Sequence, residues 1–420
     1  MWKWSKEYHE RSGFGSVLSR VVKVFLKKVV LRLRGRVENK ASPGPAVTSE
    51  ELANTQQKLA EKNQKLGRAR QQITKKDREL TVLREELART RSALSLTGST
   101  ERPFPVFFIV GFAKSGTSWL TRILDAHPEI LCRGEGIFFG RGTDLGARRG
   151  LLTPTSLYGA LADSEYLRAW VEGSIWTRGD DVDRHLTNLT RIAIEYFLGE
   201  KLSVSGKRIV GDKTPFVTED SLEEIKLILP QAKVIHIVRD GRDIAVSAMH
   251  HIWNHAVDAG GHLDMKPEEI AKRDRYRKDP QAFLDSGESI FDEDRLRKGF
   301  AEGWRNMTAK AVDEGPALLG ENYTVVRYED LLERPVREVG RLLRFLDADD
   351  SDETVERCVE ATSFERMAKR KRGEEDSSSF FRKGVAGDWR SVFTGRDREI
   401  FKEVAGDLLI KLGYEKVCEW

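Results

Sequence analysis

The sequence predicts an α/β protein with a three-layer fold, in which a parallel sheet carries a P-loop-like loop and an α-helical coiled coil precedes it. Short apolar runs alternate with helical patterns from Pro105 onward, and a glycine-containing loop joins the first run to a helix. Before them, leucine or isoleucine recurs at every seventh residue. Alternating strands and helices are typical of a parallel sheet covered on both faces. We therefore expect three parts: residues 1–47, 48–97 and 98–420.

The first part is a basic arm that ends in a linker. Residues 1–36 carry ten of the 71 Lys and Arg residues but only two of the 67 Asp and Glu residues. Between Val17 and Arg36 the apolar residues share one face of a predicted amphipathic helix, which is typical of a helix on an anionic membrane surface. A surface helix docked on the protein is the alternative. The rest of the chain is acidic overall, which argues against nucleic-acid binding.

Cysteine content and hydropathy predict a cytoplasmic protein, with peripheral attachment to the inner membrane face through the arm. The three cysteines are scattered and odd in number, which argues against a disulfide framework and fits a reducing compartment. No stretch reaches the roughly 18 apolar residues that a spanning helix needs.

The second part is a predicted coiled coil. Apolar residues from Leu52 to Leu94 fall at seven consecutive heptad positions. This register predicts a homo-oligomer formed through residues 48–94. The second core position is poorly apolar, and Gly67 costs the helix about 1 kcal/mol. We therefore expect a weak seam.

The third part contains four predicted buried strands, and helical patterns follow Gly116, Asp243 and Glu329. The strands are predicted at Val106–Val110, Arg208–Val210, Val234–Val238 and Tyr323–Val326. In such folds ligands bind at the carboxyl ends of the strands. Candidate site residues should therefore follow these runs.

The loop after the first strand is rich in groups that bind anions. It contains Lys114, Ser115, Gly116, Thr117, Ser118 and Trp119. A loop that enters a helix presents unpaired N–H groups to an anion, and the lysine and hydroxyls add a charge and donors. In nucleotide hydrolases the lysine follows the second glycine, with Mg²⁺ on the next hydroxyl. Here Lys114 precedes Gly116, which weighs against a metal-dependent kinase.

Three further segments follow the loop just described: R-D-G-R-D at 239–243 with Ser247 after it, V-R-Y-E-D around Tyr328, and R-K-G-V-A-G-D-W at 382–389. Together and in this order, the four segments resemble the PAPS-dependent sulfotransferases, where PAPS is 3′-phosphoadenosine 5′-phosphosulfate. The resemblance mixes features of the cytosolic and the carbohydrate/tyrosyl-protein branches, and it includes none of residues 1–97. It implies a sulfotransferase domain over 98–420, with PAPS as co-substrate and no metal.

The resemblance also implies a role for each motif residue. The phosphosulfate would be held by Lys114, Ser115, Gly116, Thr117 and Ser118, with Trp119 beside them. Arg239 and Ser247 would bind the 3′-phosphate, and Tyr328 would contact the adenine. Arg382, Lys383 and Gly384 would close on the 3′-phosphate.

Sulfuryl transfer should need cations at the leaving oxygens and a base for the acceptor hydroxyl. We expect Lys114 and Lys213 to be the cations. The cytosolic branch places its basic histidine two residues after the second lysine, where this chain has Pro215. Glu135, in G-E-G-I-F-F, resembles the glutamate base of the other branch. Its glycine and apolar neighbours would raise its pKa.

Two alternatives remain open: a P-loop-like kinase, and a membrane-tethered nucleotide-binding scaffold without activity. His251 and His255 have zinc-helix spacing, but Ile252 replaces the glutamate of that motif, so no metal site is expected. Residues Asn254–Lys298 are predicted to form an acceptor-side flap. A glycan or a lipid-linked sugar is the expected acceptor, with a phenol or a peptide tyrosine open.

Overall fold

A computed structural model describes residues 104–141, 155–216, 218–256, 263, 265–376, 382–417 and 420, with nine residues between 64 and 76. The chain divides into two units, Met1–Glu101 and Arg102–Trp420. The predicted arm, residues 1–47, lies outside the described residues, as does most of the predicted coiled coil. The nine residues described there are helical.

The second unit contains a five-stranded parallel sheet in the order β2-β3-β1-β4-β5. Its strands are β1 (Val106–Val110), β2 (Ile130–Gly134), β3 (Ile209–Lys213), β4 (Lys233–Val238) and β5 (Tyr323–Arg327). The predicted parallel sheet is confirmed. Strand β2 was not predicted because only its first three residues are apolar, and an arginine and a glycine follow them.

Helices connect the strands. They are α1 (Thr117–Asp125), α2 (Leu157–Ala162), α3 (Glu165–Gly173), α4 (Val182–Ser205), α5 (Ser221–Ile228), α6 (Gly241–Asn254), α7 (Pro267–Lys278), α8 (Pro280–Asp285), α9 (Gly303–Leu319), α10 (Tyr328–Glu333), α11 (Pro335–Phe345), α12 (Asp352–Ala361), α13 (Phe364–Ala368), α14 (Trp389–Val392) and α15 (Gly395–Lys411). A π-helix spans Arg295–Glu302, and a 3₁₀ turn spans Gly320–Asn322. None of the helices in the described ranges is long and apolar enough to span a bilayer.

Side chains on β1 alternate between two hydrophobic clusters. Phe107 packs with Leu120 of α1 and Leu342 of α11, whereas Phe108 packs with Ile194 of α4. Successive side chains of a strand point to opposite faces. Helices therefore cover both faces of the sheet, and the polar chemistry is left to the strand ends.

A third cluster joins the segment after α6 to the carboxyl-terminal helix. Tyr276 of α7 and Phe283 of α8 are buried together with Trp304 and Phe401. The prediction of a flap over Asn254–Lys298 is therefore wrong from residue 265 onward. The many charges of this segment suggested a loose cover, but its aromatic residues anchor it in a core.

Candidate active site

A cavity of about 850 Å³ lies at the carboxyl ends of the strands. The predicted site residues that line it are Lys114, Gly116, Thr117, Ser118, Trp119, Glu135, Lys213, Arg239, Ser247, Tyr328, Arg382, Lys383 and Gly384. Ser115 is not among the lining residues. It is buried, and its Oγ has no hydrogen-bond partner among the described residues.

The loop between β1 and α1 turns through backbone conformations that suit a tight approach to the cavity. Lys114 has a φ of 72° and Gly116 a φ of 104°. A Cβ at Gly116 would lie 2.5 Å from the Tyr328 ring, so only glycine fits there. Helix α1 begins directly afterwards. Its first N–H groups and the hydroxyls of Thr117 and Ser118 are thus available to an anion at the helix terminus.

Glu135 and Lys213 form an ion pair at the ends of two neighbouring strands. The Lys213 Nζ lies 2.6 Å from the Glu135 Oε1 and donates to the Ser118 Oγ at 3.2 Å. The Glu135 side chain is 37% exposed, so the apolar enclosure expected around it is not found. Gly134 makes room for the lysine, because a Cβ there would lie 2.7 Å from the Lys213 Cε. The pair thus sits directly beside the start of α1.

Lys114 is surrounded by other cations. Burial, which is the largest cause, and the charges of Arg239 and Lys213 together lower its pKa to about 8, although Glu135 acts in the opposite direction. Burial and like charges both disfavour an ammonium group. The cavity therefore concentrates positive charge that an anionic ligand would relieve.

Arg239 lies between the loop after β1 and the loop at residues 382–389. Its guanidinium donates to the Lys114 carbonyl oxygen at 3.1 Å and lies 4.3 Å from the centroid of the Tyr328 ring. The Arg239 Nε is buried without a hydrogen-bond partner among the described residues. Trp119 meets Tyr328 edge to face at 5.7 Å. Two aromatic rings and a guanidinium thus share one wall of the cavity.

The loop at residues 382–389, which we call the late loop, brings two more cations to the cavity. Both of them form ion pairs with carboxylates. Arg382 pairs with Asp388 and with Glu375 at 2.7 Å, and the Lys383 Nζ lies 2.6 Å from Asp388. Asp243 accepts hydrogen bonds from the N–H groups of Gly387 at 2.7 Å and Trp389 at 3.0 Å. Since Asp243 lies in the first turn of α6, it ties this loop to the helix after β4.

The cavity also has an apolar lining. It includes Phe112, Pro215, Phe216, Leu263 and Met307. His251 also lines the cavity, and its ring centroid lies 4.1 Å from that of His255. Among the described residues, no group of three or more His, Cys, Asp or Glu side chains is arranged to hold a metal ion.

Sequence reasoning missed three buried carboxyl groups near the predicted residues. Asp243 and Asp388 lie inside motifs that the sequence analysis singled out, and Asp212 directly precedes Lys213, but no role was assigned to them. Their signal was adjacency, because each stands next to or near a predicted cation. The apolar lining had no such signal, since it comes from segments far apart in the chain.

Comparison with known proteins identifies the family. A family model described as "Sulfotransferase domain" matches residues 205–413, and one described as "Sulfotransferase family" matches residues 105–297. The chain belongs to the sulfotransferase family. The chain is similar to Sulfotransferase 1B1 of the dog. The two proteins are 29% identical over 198 residues, which are 42% of this chain and 56% of the dog protein.

Sulfotransferase 1A1 of cattle is 36% identical over 85 residues, which are 18% of this sulfotransferase-family chain and 29% of the bovine protein. The matched segments thus span about half of the length of the dog protein and less than a third of the bovine protein. Among solved structures, it is similar to mouse sulfotransferase SULT7A1 complexed with PAP, with a TM-score of 0.41 and 18% identity over 74% of this chain and 85% of the mouse chain. It is also similar to a sulfotransferase from Alicyclobacillus acidocaldarius, with a TM-score of 0.37 and 21% identity over 76% and 99% of the two chains.

Proposed function

We propose that this protein transfers a sulfuryl group from PAPS to an acceptor hydroxyl. The observation that supports this most directly is the meeting of Glu135, Lys213 and Ser118 beside the start of α1, in a cavity that also contains Lys114. A carboxylate, two ammonium groups and a helix amino terminus are what transfer from an anionic donor to a hydroxyl requires. Family membership supports the same reaction. It does not favour a P-loop-like kinase or an inactive scaffold.

The donor would lie in the cavity at the carboxyl ends of the strands. Its phosphosulfate would bind to the loop that contains Lys114, Thr117 and Ser118. Its adenine would contact Trp119 and Tyr328. The 3′-phosphate would bind to the side chains of Arg239, Ser247, Arg382 and Lys383. The buried, unpartnered Nε of Arg239 supports this, because a guanidinium can give a phosphate two parallel hydrogen bonds.

The reaction follows from the charges around the ion pair. Glu135 would accept the proton of the acceptor hydroxyl while the hydroxyl oxygen forms a bond to sulfur. As this bond forms, the bond from sulfur to the bridging oxygen breaks, and Lys213 and Lys114 stabilise the negative charge on the departing 3′,5′-diphosphate. Bound donor would draw Lys213 away from Glu135, which makes the carboxylate a better base at the moment it is needed.

The apolar lining bears on the acceptor. Phe112, Pro215, Phe216 and Met307 line the cavity, and Pro215 and Phe216 are the second and third residues after Lys213 in the chain. Such a lining favours a hydroxyl carried by or next to an apolar group, because burying unpaired sugar hydroxyls there would cost free energy. Of the two acceptors expected from the sequence, a lipid-linked sugar fits this lining better than a free glycan.

A transfer assay tests the proposal directly. Purified protein is incubated with PAPS labelled in its sulfuryl group and with a lipid-containing cell extract, and the labelled products are separated. We expect label in an acceptor and release of 3′-phosphoadenosine 5′-phosphate. Absence of transfer together with use of γ-labelled ATP would contradict the sulfotransferase proposal and support a kinase.

The Glu135→Gln substitution tests the base. It keeps the shape of the side chain but removes the proton acceptor, so kcat should fall by about 10²–10⁴-fold with little change in donor affinity. Glu293→Gln is the control, because Glu293 is 63% exposed and pairs with Arg396. A near-normal rate in Glu135→Gln would place the base elsewhere, and His251 would be examined next.

A further inference from the structure

Asp212 is a buried carboxyl that the proposed reaction does not use. It lies on β3 next to Lys213, and only 4% of its surface is exposed. Its Oδ1 accepts a hydrogen bond from the Gly136 N–H at 3.1 Å, and its Oδ2 accepts one from the Thr214 hydroxyl at 2.7 Å. Within the described residues, no basic side chain lies within ion-pair distance of it. A buried carboxyl without a cation partner is unfavourable for folding, so its presence beside the ion pair calls for an explanation.

The segment that Asp212 contacts is the turn that carries Glu135. Glu135 has a φ of 65° and Ile137 a φ of 53°, so two residues with side chains adopt left-handed conformations within three positions. That conformation is disfavoured by contact between Cβ and the backbone, and it persists where the surroundings hold it. Three hydrogen bonds hold it here, and in one of them the Leu157 N–H donates to the Ile137 carbonyl oxygen at 2.9 Å. The Glu135 N–H donates to the Lys213 carbonyl oxygen at 2.9 Å, and the Gly136 N–H donates to Asp212.

The charge around Asp212 is linked to the ion pair. Its pKa is raised to about 6, mainly by burial and also by the nearby Glu135 carboxylate, although the two hydrogen bonds and Lys213 act in the opposite direction. Thr214 is itself held, since its N–H donates to the Ile109 carbonyl oxygen at 2.9 Å. Asp212 thus connects the turn after β2 to the end of β3 and, through Thr214, to β1.

We propose that Asp212 is a positioning residue for Glu135. By holding the Gly136 N–H, it keeps the turn in the conformation that directs the Glu135 carboxylate to Lys213 and to the acceptor hydroxyl. The inference rests on the proposed function only for the identity of the reaction. The hydrogen bond itself can be tested in a protein that is not turning over.

The test is a cycle of variants: Asp212→Ala, Glu135→Gln, and the two combined. Asp212→Ala should lower kcat by about 10²-fold, the size of effect that follows misplacement of a reacting group. Donor affinity by calorimetry should not change. In the Glu135→Gln background, Asp212→Ala should cost little more, because residues that act through one another are not additive. Equal losses in both backgrounds, or a loss of donor affinity, would overturn the proposal.

Asp212→Asn is the conservative variant and also serves if Asp212→Ala does not fold. Its side-chain oxygen can still accept from the Gly136 N–H, and its amide can donate to the Thr214 oxygen. We expect it to keep most of kcat. A loss as large as that of Glu135→Gln would overturn the proposal, because it would assign the effect to the charge of Asp212 and not to its hydrogen bond.

Amide hydrogen exchange separates this inference from the proposed reaction. The Gly136 N–H should exchange slowly in the unsubstituted protein and faster in Asp212→Ala, or in Thr214→Val, which loosens the carboxyl. Unchanged exchange would overturn the inference even if transfer is observed. A protein that binds the nucleotide but transfers no sulfuryl group would contradict the proposed function, while accelerated exchange would still support the role of Asp212 in the turn.

Discussion

The ammonium group of Lys114 shows how a single residue takes its properties from its neighbours. Burial is the largest cause of its lowered pKa, and Arg239 and Lys213 add repulsion. A bound donor would bring negative charge to the same place, and the pKa of Lys114 should then rise. Its protonation is therefore coupled to donor binding, and the coupling can be measured through pH.

A pH profile gives the first prediction at this scale. Because the pKa of Lys114 is lowered to about 8, the ammonium loses its proton as pH rises through that value, so kcat/KM should fall there. The profile of kcat, which reports the donor complex, should fall at higher pH. Rates from about pH 6 to about pH 10 check this. Lys114→Arg should lack the limb near pH 8, because a guanidinium stays charged; a limb at the same pH would contradict the assignment.

Arg239 supplies the second prediction. Its side chain is 12% exposed, so truncating it should cost about 2–5 kcal/mol in binding a nucleotide whose phosphate it contacts. Arg239→Ala should weaken the binding of 3′-phosphoadenosine 5′-phosphate far more than the binding of the analogue without the 3′-phosphate. Calorimetric titration of both nucleotides measures this, with Arg305→Ala as control, because the Arg305 side chain is 42% exposed and pairs with Asp407. Equal losses for the two nucleotides would remove Arg239 from the 3′-phosphate site.

At the scale of elements, helix α6 connects several parts of the cavity. Asp243, Ser247 and His251 are four residues apart, so they lie along one face of the helix. Asp243 holds the late loop at the helix amino terminus, whereas Ser247 and His251 line the cavity. One helix thus positions both the predicted 3′-phosphate site and part of the remaining lining.

Asp243→Asn tests this connection. The amide nitrogen cannot accept a hydrogen bond, so one of the two loop N–H groups would lose its partner in a buried site. The free energy of unfolding should fall by about 1–3 kcal/mol, measured by urea denaturation. Asp294→Asn, at a side chain that is 76% exposed and pairs only with the exposed Lys298 among the ion pairs of the described residues, should change it by less than about 0.5 kcal/mol. The same small change in both variants would show that Asp243 does not hold the loop.

At the scale of the whole molecule, residues 48–94 are predicted to set the oligomeric state. Deletion of these residues should leave a folded domain of smaller oligomeric state, because the heptad positions that would join the helices are gone. Light scattering on the full chain and the deletion variant decides it. A full-length monomer at tens of micromolar would contradict the coiled coil. The membrane role of residues 1–47 also stays a prediction.

The sequence alone determined the elements whose signal is local. Apolar runs predicted β1, β3, β4 and β5, and these predictions are confirmed because the burial of a strand is encoded in neighbouring residues. The motif residues other than Ser115 line one cavity, and their roles stay predictions. Strand β2 escaped because its polar end interrupts the run.

Only the tertiary structure decided how the site is held together. Glu135 and Lys213 are far apart in the chain, and they pair because β2 lies beside β3 in the sheet. The same register brings Asp212 to the turn after β2, and the fold of the late loop brings Asp243 to Gly387 and Trp389. Ion pairs and hydrogen bonds of this kind depend on distance in space, which no local pattern of residues encodes.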